Sequence, residues 1–413
     1  VAIFNWLFAR HTDGEFLIRI EDTDRDRSTP EAVKAIFNAL NWLKIDYDEE
    51  PLYQSSRIKA HLEVAEELLK KGLAYKEDKG GTGKGECIIF KIPKQDVSFY
   101  DETKGALCKK ADDLKDFVIV RSNGTPVFLL SNVADDITMR ITHVMRGDDH
   151  IENTYKQVAL YKALGIKPPQ YVHLPMIVNQ QGKPYSKRDG DAYIGDFRTN
   201  GFNPDALFNY LSLLGWSPGN DIEKMTREEE IKLFTLDRIK NSPAQMDLKK
   251  LTFMNWQYIS ELPLEKFILQ AKEYLKQYEW SQNIDEDYFL KVCELMQSRV
   301  HLYTDIKDWQ YFFSNNPNYE EKAVRKILKK EGRKPALIIL KNKFTDIDFS
   351  EESIEQAIRQ VEKNVEIKEG KLNQPIRVAI TGLSRGAGLY ETMALLGKDK
   401  VLTRIDYALN FLL

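Results

Sequence analysis

Cysteine is scarce: Cys87, Cys108 and Cys293 are the three in 413 residues, odd in number and far apart. They make neither a disulfide framework nor a Cys-x-x-Cys pair, which points to a reducing compartment. No apolar run has the length of a membrane span, and no charged-then-apolar signal opens the chain. Excess charge is lacking too. The net charge of −3 excludes a generally basic nucleic-acid coat, so any such partner must meet a local basic surface. There is no internal repeat and no low-complexity tail. A Gly-x4-Gly-Lys-Ser/Thr phosphate loop is missing: "GGTGKG" (80–85) does not satisfy it and reads as a flexible connection. The first residue is Val1 rather than Met, and "VAIFNWLFAR" reads as if it begins midway through a helix.

What is present is an ordinary globular composition, 42% hydrophobic and 30% charged, long enough for two to four domains. The first 70 or so residues alternate strand and helix. "EFLIRIE" (15–21) predicts a short strand, and "STPEAVKAIFNALNWLK" (28–44) a helix capped by Ser28 or Thr29, with Val33, Ile36, Phe37, Leu40 and Leu43 on one face. "RIKAHLEVAEELLKKG" (57–72) predicts a second helix, closed by glycine. Strand feeding helix repeatedly is the pattern of a parallel α/β sheet. From 73 to about 130 the texture changes to short strands and turns, "CIIFKI", "DFVIVRS" and "TPVFLLS", as in a β-rich insertion. The alternation then resumes, and "YVHLPMIV" (171–178) predicts a buried strand. Beyond about 190 the pattern is almost wholly helical, including "NPDALFNYLSLLGW" (203–216) and "MDLKKLTFMNWQYI" (246–259).

Three clusters carry chemistry. "RIEDTD" (19–24) places Glu21 just after a strand, where the carboxyl end of a parallel sheet collects ligands. Its carboxylates suit a metal, acid–base work or an ammonium group, or they form an exposed acidic turn balanced by Arg19, Arg25 and Arg27. "THVMRGDDHIENT" (142–154) repeats that layout. Asp148, Asp149 and His150 are adjacent on one strand end, where side chains diverge and share an ion poorly. Arg146 suits a carboxylate, which its planar fork holds with two bonds. "GKPYSKRDGD" (182–191) packs three cations and a hydroxyl between glycines, as either a grip on phosphate or a solvated turn. Acceptors for an ammonium, an Arg for a carboxylate and a Lys/Arg loop for a polyphosphate together suit an enzyme joining an amino acid to ATP.

In combination, order and spacing these segments resemble the bacterial glutamyl-tRNA synthetases, which are class I enzymes. "FNWLFAR" (4–10) with "FLIRIEDTD" (16–24) resembles the segment after the family's first ATP motif. "ITHVMRGDDHIENTYKQVALYKALG" (141–165) is similar to the stretch leading out of the second half of the sheet, and "SKRDG" (186–190) to the mobile "KMSKS" loop. "GFNPDALFNYLSLLGWSP" (201–218), "QPIRVAITG" (374–382) and "GLYETMALLGKDKVLTRI" (388–405) resemble the stem-contact and last helical regions. The resemblance implies a Rossmann-like catalytic domain over 1–72 and 128–187, with an acceptor-stem-binding insertion at 73–127. A stem-contact domain at 188–263 and an all-α anticodon-binding region at 264–413, split near 320, would follow. It assigns Glu21 to the amino group of bound glutamate and Arg146 to its carboxylate, with Phe128, Asn132 and Asp149 lining the pocket. Lys187, with Ser186 and Arg188, is implied to clamp the ATP phosphates. The resemblance also implies Mg²⁺ delivered with ATP, tRNA as partner, a monomer, and a cytoplasmic location. Lys322, Arg325, Lys326, Lys329 and Lys330, in the most basic stretch, either meet the anticodon arm or form a solvated face.

Departures from the family pattern set further expectations. The "HIGH"-type first ATP motif is not within the chain; about twenty residues holding it are expected ahead of Val1. His11 is no substitute, since it follows the helix. Without those residues the chain is expected to bind tRNA and not to activate glutamate. Pro184 and Tyr185 stand where the loop usually has Lys and Met or Leu, and Phe128 stands where relatives often carry Tyr. The Cys-rich zinc patch is absent from a short stretch around 76–86, so no zinc is expected. Three rivals remain: glutaminyl-tRNA synthetase, which has β-barrels at the anticodon end; a short tRNA-modifying paralogue, which lacks the helical half; and a non-catalytic tRNA-binding relative.

Overall fold

Residues 1–23, 28–78, 85–186, 188–190, 193–219 and 221–413 are described by a computed structural model, and they form two compact units. The first comprises residues 1–197 and 204–248, the second 198–203 and 249–413. Among the described residues no helix is long and apolar enough to cross a membrane.

In the first unit, α1 (Ala2–His11) buries Ile3, Phe4, Trp6 and Leu7. The Trp6 indole donates to Asp46 at 2.6 Å. An extended segment follows, but only Arg19–Ile20 (β1) is ladder, paired in parallel with β2 (Leu52–Tyr53). The strand expected over 15–21 is therefore shorter. Phe16 and Ile18 carbonyls accept from the Asp48 and Leu52 amides, so the chain stays extended upstream without completing the ladder. α2 (Pro30–Trp42) starts where Thr29 accepts the Ala32 amide at 3.2 Å, with Pro30 in the first turn. Of its expected apolar stripe only the end near Leu40 and Leu43 is buried; Ile36 is 49% exposed. α3 (Ile58–Lys70) stops before Gly72, whose φ of +69° suits a residue without Cβ.

Three strands, β3 (Ala74–Glu77), β4 (Cys87–Phe90) and β7 (Phe117–Val120), form an antiparallel sheet in the order β3-β4-β7. The intervening hairpin, β5 (Val97–Asp101) and β6 (Gly105–Lys109), joins another sheet. That sheet runs β6-β5-β9-β8, with β8 (His143–Gly147) and β9 (Gln170–Leu174) parallel and β5 parallel to β9. "TPVFLLS" is not a strand. After Pro126 bridges to Val120, Phe128 begins α4 (Phe128–Thr138), because Leu130, Val133 and Ala134 bury at helical spacing. "YVHLPMIV" is not one strand either. Pro175 has no amide to donate, so β9 ends at Leu174, and β10 (Ile177–Val178) pairs separately with β11 (Ala244–Gln245). α5 (Ile151–Leu164) follows β8 and ends at Gly165, φ +76°. Its Val158, Ala159 and Leu160 share a core with Leu68, Phe90, Ile119, Leu130 and Tyr171.

The second unit is helical through Leu413, around a core that includes Phe267, Trp309, Phe344, Ile358, Met393 and Ile405. Arg404 is fully buried within it, and its guanidinium donates to the carbonyls of Ile380 and Tyr311 at 2.6 Å and of Ser314 at 2.8 Å. Burial lowers its basicity to about 10, and the carbonyl oxygens that accept from it offset the cost of burying the charge.

Candidate active site

The carboxyl ends of β1, β8 and β9, with the flanking faces of α4 and α5, gather the polar groups of the first unit. Arg146 lies on β8 opposite His173 of β9. Its Nη2 donates to Thr154 Oγ1 and to Gln157 Oε1, both on α5 and both at 2.6 Å. Its guanidinium carbon stands 5.7 Å from the centre of the Tyr171 ring. The Nε is buried and has no hydrogen-bond partner among the described residues. Burial lowers the basicity of Arg146, and the nearby Tyr171, Asp136 and Glu21 oppose that. It remains a cation, since burial lowers a group whose ordinary basicity lies far above neutral pH. No described carboxylate pairs with it, and a partly desolvated charge without a counter-ion is costly. An incoming carboxylate would relieve that cost.

Phe128, Asn132 and Asp136 are spaced four apart on α4 and so share one face. Asn132 is nearly fully buried, and its Oδ1 accepts from Gln54 at 2.9 Å. Asp136 accepts from Arg19 and, at 3.2 Å, from Tyr161. Beside it, Asp135 accepts from Gln54 at 3.0 Å and bonds His61 at 2.8 Å. Burial would raise the Asp135 carboxyl, but the His61 bond and charge outweigh it and hold it below the usual range. The Phe128 ring lies 5.7 Å from that of His150. Glu21 is exposed at the end of β1 and contributes to the field at Arg146. Its neighbour Asp22 is tied to the Ser55 amide and hydroxyl, at 2.8 and 2.5 Å. Asp149 turns outward, its carboxylate 64% exposed and 3.9 Å from His150. Arg146 at the end of β8 thus lies within electrostatic reach of Glu21 and of Asp136, and Asn132 is one turn before Asp136 on α4. Phe128 and Asp149 lie together at His150.

The basic loop folds as a hairpin. Val178 bridges to Pro184, the Asn179 amide donates to the Lys183 carbonyl at 2.8 Å, and Gly182 takes φ +73°. Pro184 is acceptable where Lys is usual because that bridge asks it for no amide. Ser186 donates from its hydroxyl and its amide to Asp189 Oδ2, at 2.8 and 2.9 Å, and Asn179 donates to Oδ1 at 2.8 Å. Asn179 first, then Ser186, hold the Asp189 carboxyl below its usual value. In this conformation Ser186 braces the loop. Arg188 is exposed, and Lys187 lies outside the described residues, as do 24–27 of the acidic cluster.

In the second unit, Lys322, Arg325, Lys326, Lys329 and Lys330 are all exposed. The segment carrying them, Glu321–Ala323 and the π-helical turn Val324–Leu328, buries Ala323, Val324 and Leu328 on its other side.

Sequence reasoning missed Arg19, Gln54, Asp136, Gln157 and Tyr171. The one signal available was "SNVADDIT" (131–138), where adjacent carboxylates interrupt an otherwise apolar helix.

Comparison with known proteins gives concordant results for both units. Residues 1–81 and 77–253 match the model of tRNA synthetases class I (E and Q), catalytic domain. Residues 266–409 match the anticodon binding domain. Glutamate–tRNA ligase 2 of Thermoanaerobacter pseudethanolicus is 35% identical, over 100% of this chain and 94% of its own length. Glutamate–tRNA ligase of Desulforudis audaxviator is 34% identical, over 100% and 93%. The crystal structure of a glutamate tRNA ligase from Elizabethkingia meningosepticum, in complex with its amino acid, superposes with a TM-score of 0.88. It is 26% identical and covers 100% of this chain and 96% of that one.

Proposed function

The chain belongs to the glutamate–tRNA ligases of the class I tRNA synthetases, and we propose that it activates L-glutamate with ATP and transfers the product to tRNA. A glutamate α-carboxylate oxygen attacks the α-phosphorus, the bond to the β-phosphate breaks, and pyrophosphate leaves. A hydroxyl of the 3′-terminal ribose then attacks the acyl carbon of glutamyl-adenylate, forming the ester and releasing AMP.

The observation that carries this reading is Arg146, a half-buried guanidinium with a buried Nε and no described carboxylate partner. It receives a carboxylate of glutamate on Nη1, since both Nη2 protons are already donated to Thr154 and Gln157. Glu21 receives the ammonium group, and Asn132, held by Gln54, keeps its amide nitrogen for the substrate. Phe128 and Asp149 line the same pocket from the His150 side. Lys187 and Arg188 close on the phosphates, where charge gathers on departing pyrophosphate. The Asp189 brace on Ser186 holds the loop ready for that closure. Mg²⁺ comes with the nucleotide and is held by its phosphates; among the described residues no three His, Cys, Asp or Glu side chains could cage a metal ion. Glutamate-dependent ATP–pyrophosphate exchange in the presence of tRNA tests the proposal in the full-length enzyme. Labelled pyrophosphate should enter ATP only when glutamate is supplied. Exchange indifferent to glutamate would overturn it.

The exposed cations at 322–330 meet the phosphates of the anticodon arm. Replacing four of Lys322, Arg325, Lys326, Lys329 and Lys330 by Ala should weaken tRNA binding and flatten its salt dependence. Each lost phosphate contact lowers the log–log slope by just under one. A slope equal to that of the unaltered protein would move the contact surface elsewhere.

A further inference from the structure

Behind Arg146 runs a buried chain of polar groups that no substrate reaches. β5 ends in Asp101, which is fully buried and saturated with donors. Its Oδ2 takes His173 Nδ1 at 2.6 Å and the His173 amide at 3.1 Å. Its Oδ1 takes the Thr103 hydroxyl at 2.6 Å and the amides of Thr103 and Lys104 at 3.0 and 2.9 Å. Burial would raise this carboxyl, but the His173 and Thr103 bonds outweigh it and hold it below the usual range. An acceptor so saturated fixes the imidazole ring, with Nδ1 as donor. The opposite nitrogen, Nε2, then meets Thr154 Oγ1 at 2.9 Å. Thr154 and His173 are both fully buried. The same Thr154 oxygen receives Arg146 Nη2 at 2.6 Å.

From this geometry we infer that Asp101, His173 and Thr154 are positioning residues that fix the guanidinium plane of Arg146 and thereby set selectivity for the substrate carboxylate. The inference rests on the proposed role of Arg146. Proton bookkeeping supports it. With a neutral imidazole bearing its proton on Nδ1, the Thr154 hydroxyl donates to Nε2 and keeps its lone pairs for Arg146. With an imidazolium, Nε2–H donates to Thr154, whose own proton turns to the His150 carbonyl 3.1 Å away. Either way Thr154 remains an acceptor for Arg146, so the chain holds the cation in both states. A second arm reinforces the first. The Thr103 hydroxyl, with one proton to share between Asp101 and the His173 carbonyl 2.7 Å away, spans both, and Lys104 reaches Asp148 at 3.3 Å, two residues beyond Arg146. The β5–β6 turn therefore grips both strands that frame the pocket.

Thr154→Val is nearly isosteric and removes only the hydroxyl; Thr154→Ser restores it. The valine variant should raise KM for glutamate about ten- to hundredfold, the loss expected of a hydrogen bond to a charged group. Its KM for ATP and its kcat should stay within about twofold of the unaltered enzyme, the range of a second-site change with no contact to the nucleotide. The serine variant should behave almost as wild type. His173→Leu should act in the same direction, and its combination with Thr154→Val should be no worse than the stronger single change, since both break one chain. A parallel fall in kcat and rise in KM for ATP, or additive losses, would mean general loosening and overturn the inference. Should His173→Leu fail to fold, the Thr154 pair decides alone. Arg146→Leu, run alongside, separates the two levels. If it charges glutamate normally the reading of the pocket fails; if it is crippled while Thr154→Val is normal, only the positioning chain fails.

Discussion

Arg146→Leu should cut kcat/KM for glutamate by about two to four powers of ten while leaving the KM for ATP nearly unchanged. Leucine removes the guanidinium at the carboxyl end of β8 and leaves the incoming carboxylate without that partner. Breaking one partner of a buried charge pair costs about 3–5 kcal/mol. The loss falls on glutamate because Arg146 is held among Thr154, Gln157 and Tyr171 and makes no described contact with the hairpin that carries Ser186 and Arg188. Steady-state pyrophosphate exchange with each substrate varied in turn measures the split. Normal glutamate use by the variant would contradict the pocket assignment.

Lys187→Ala should act on the rate instead. The family's loop lysine meets phosphate charge that grows as pyrophosphate departs, so its contribution is made mainly in the transition state. Losing one such charged contact costs about 3 kcal/mol, or a hundredfold in the rate of adenylate formation. Glutamate affinity should hold, because the role proposed for Lys187 is on the ATP phosphates. Single-turnover formation of adenylate, followed at saturating ATP, reads the effect directly. A weaker apparent affinity for ATP with the rate preserved would make the loop a binding element only.

Much of this architecture is legible in the residues. Arg146 stands out because a strand, a polar cluster and a helix follow one another, and strand ends of parallel sheets collect ligands. The helix from Pro30 is legible from Thr29 and its apolar spacing, and the helical second half from its period. Other features are decided by pairing between distant segments, which local pattern does not encode. Asp101 and His173 are 72 residues apart, and nothing in "SFYDETKG" or "YVHLP" announces their bond. The helix at Phe128 is misread because Thr125 to Leu130 is rich in β-formers, and tertiary burial of Leu130 and Val133 overrides that propensity. Pro175 within "YVHLPMIV" is the signal that should have divided the strand. Ser186 illustrates a different limit: residue type identifies a loop hydroxyl, but only coordinates reveal that Asp189 holds it.

Arg146, half-buried and without a described carboxylate partner, is proposed to select glutamate by its charge. Glutamine is the sharpest probe, being nearly isosteric and neutral at the side chain. The decisive measurement is ATP–pyrophosphate exchange by the unaltered full-length enzyme with tRNA present, using glutamate or glutamine at equal concentration. Glutamate should be preferred in kcat/KM by about two powers of ten or more, the cost of leaving a buried cation unpaired. Equal rates with the two amino acids would contradict the account.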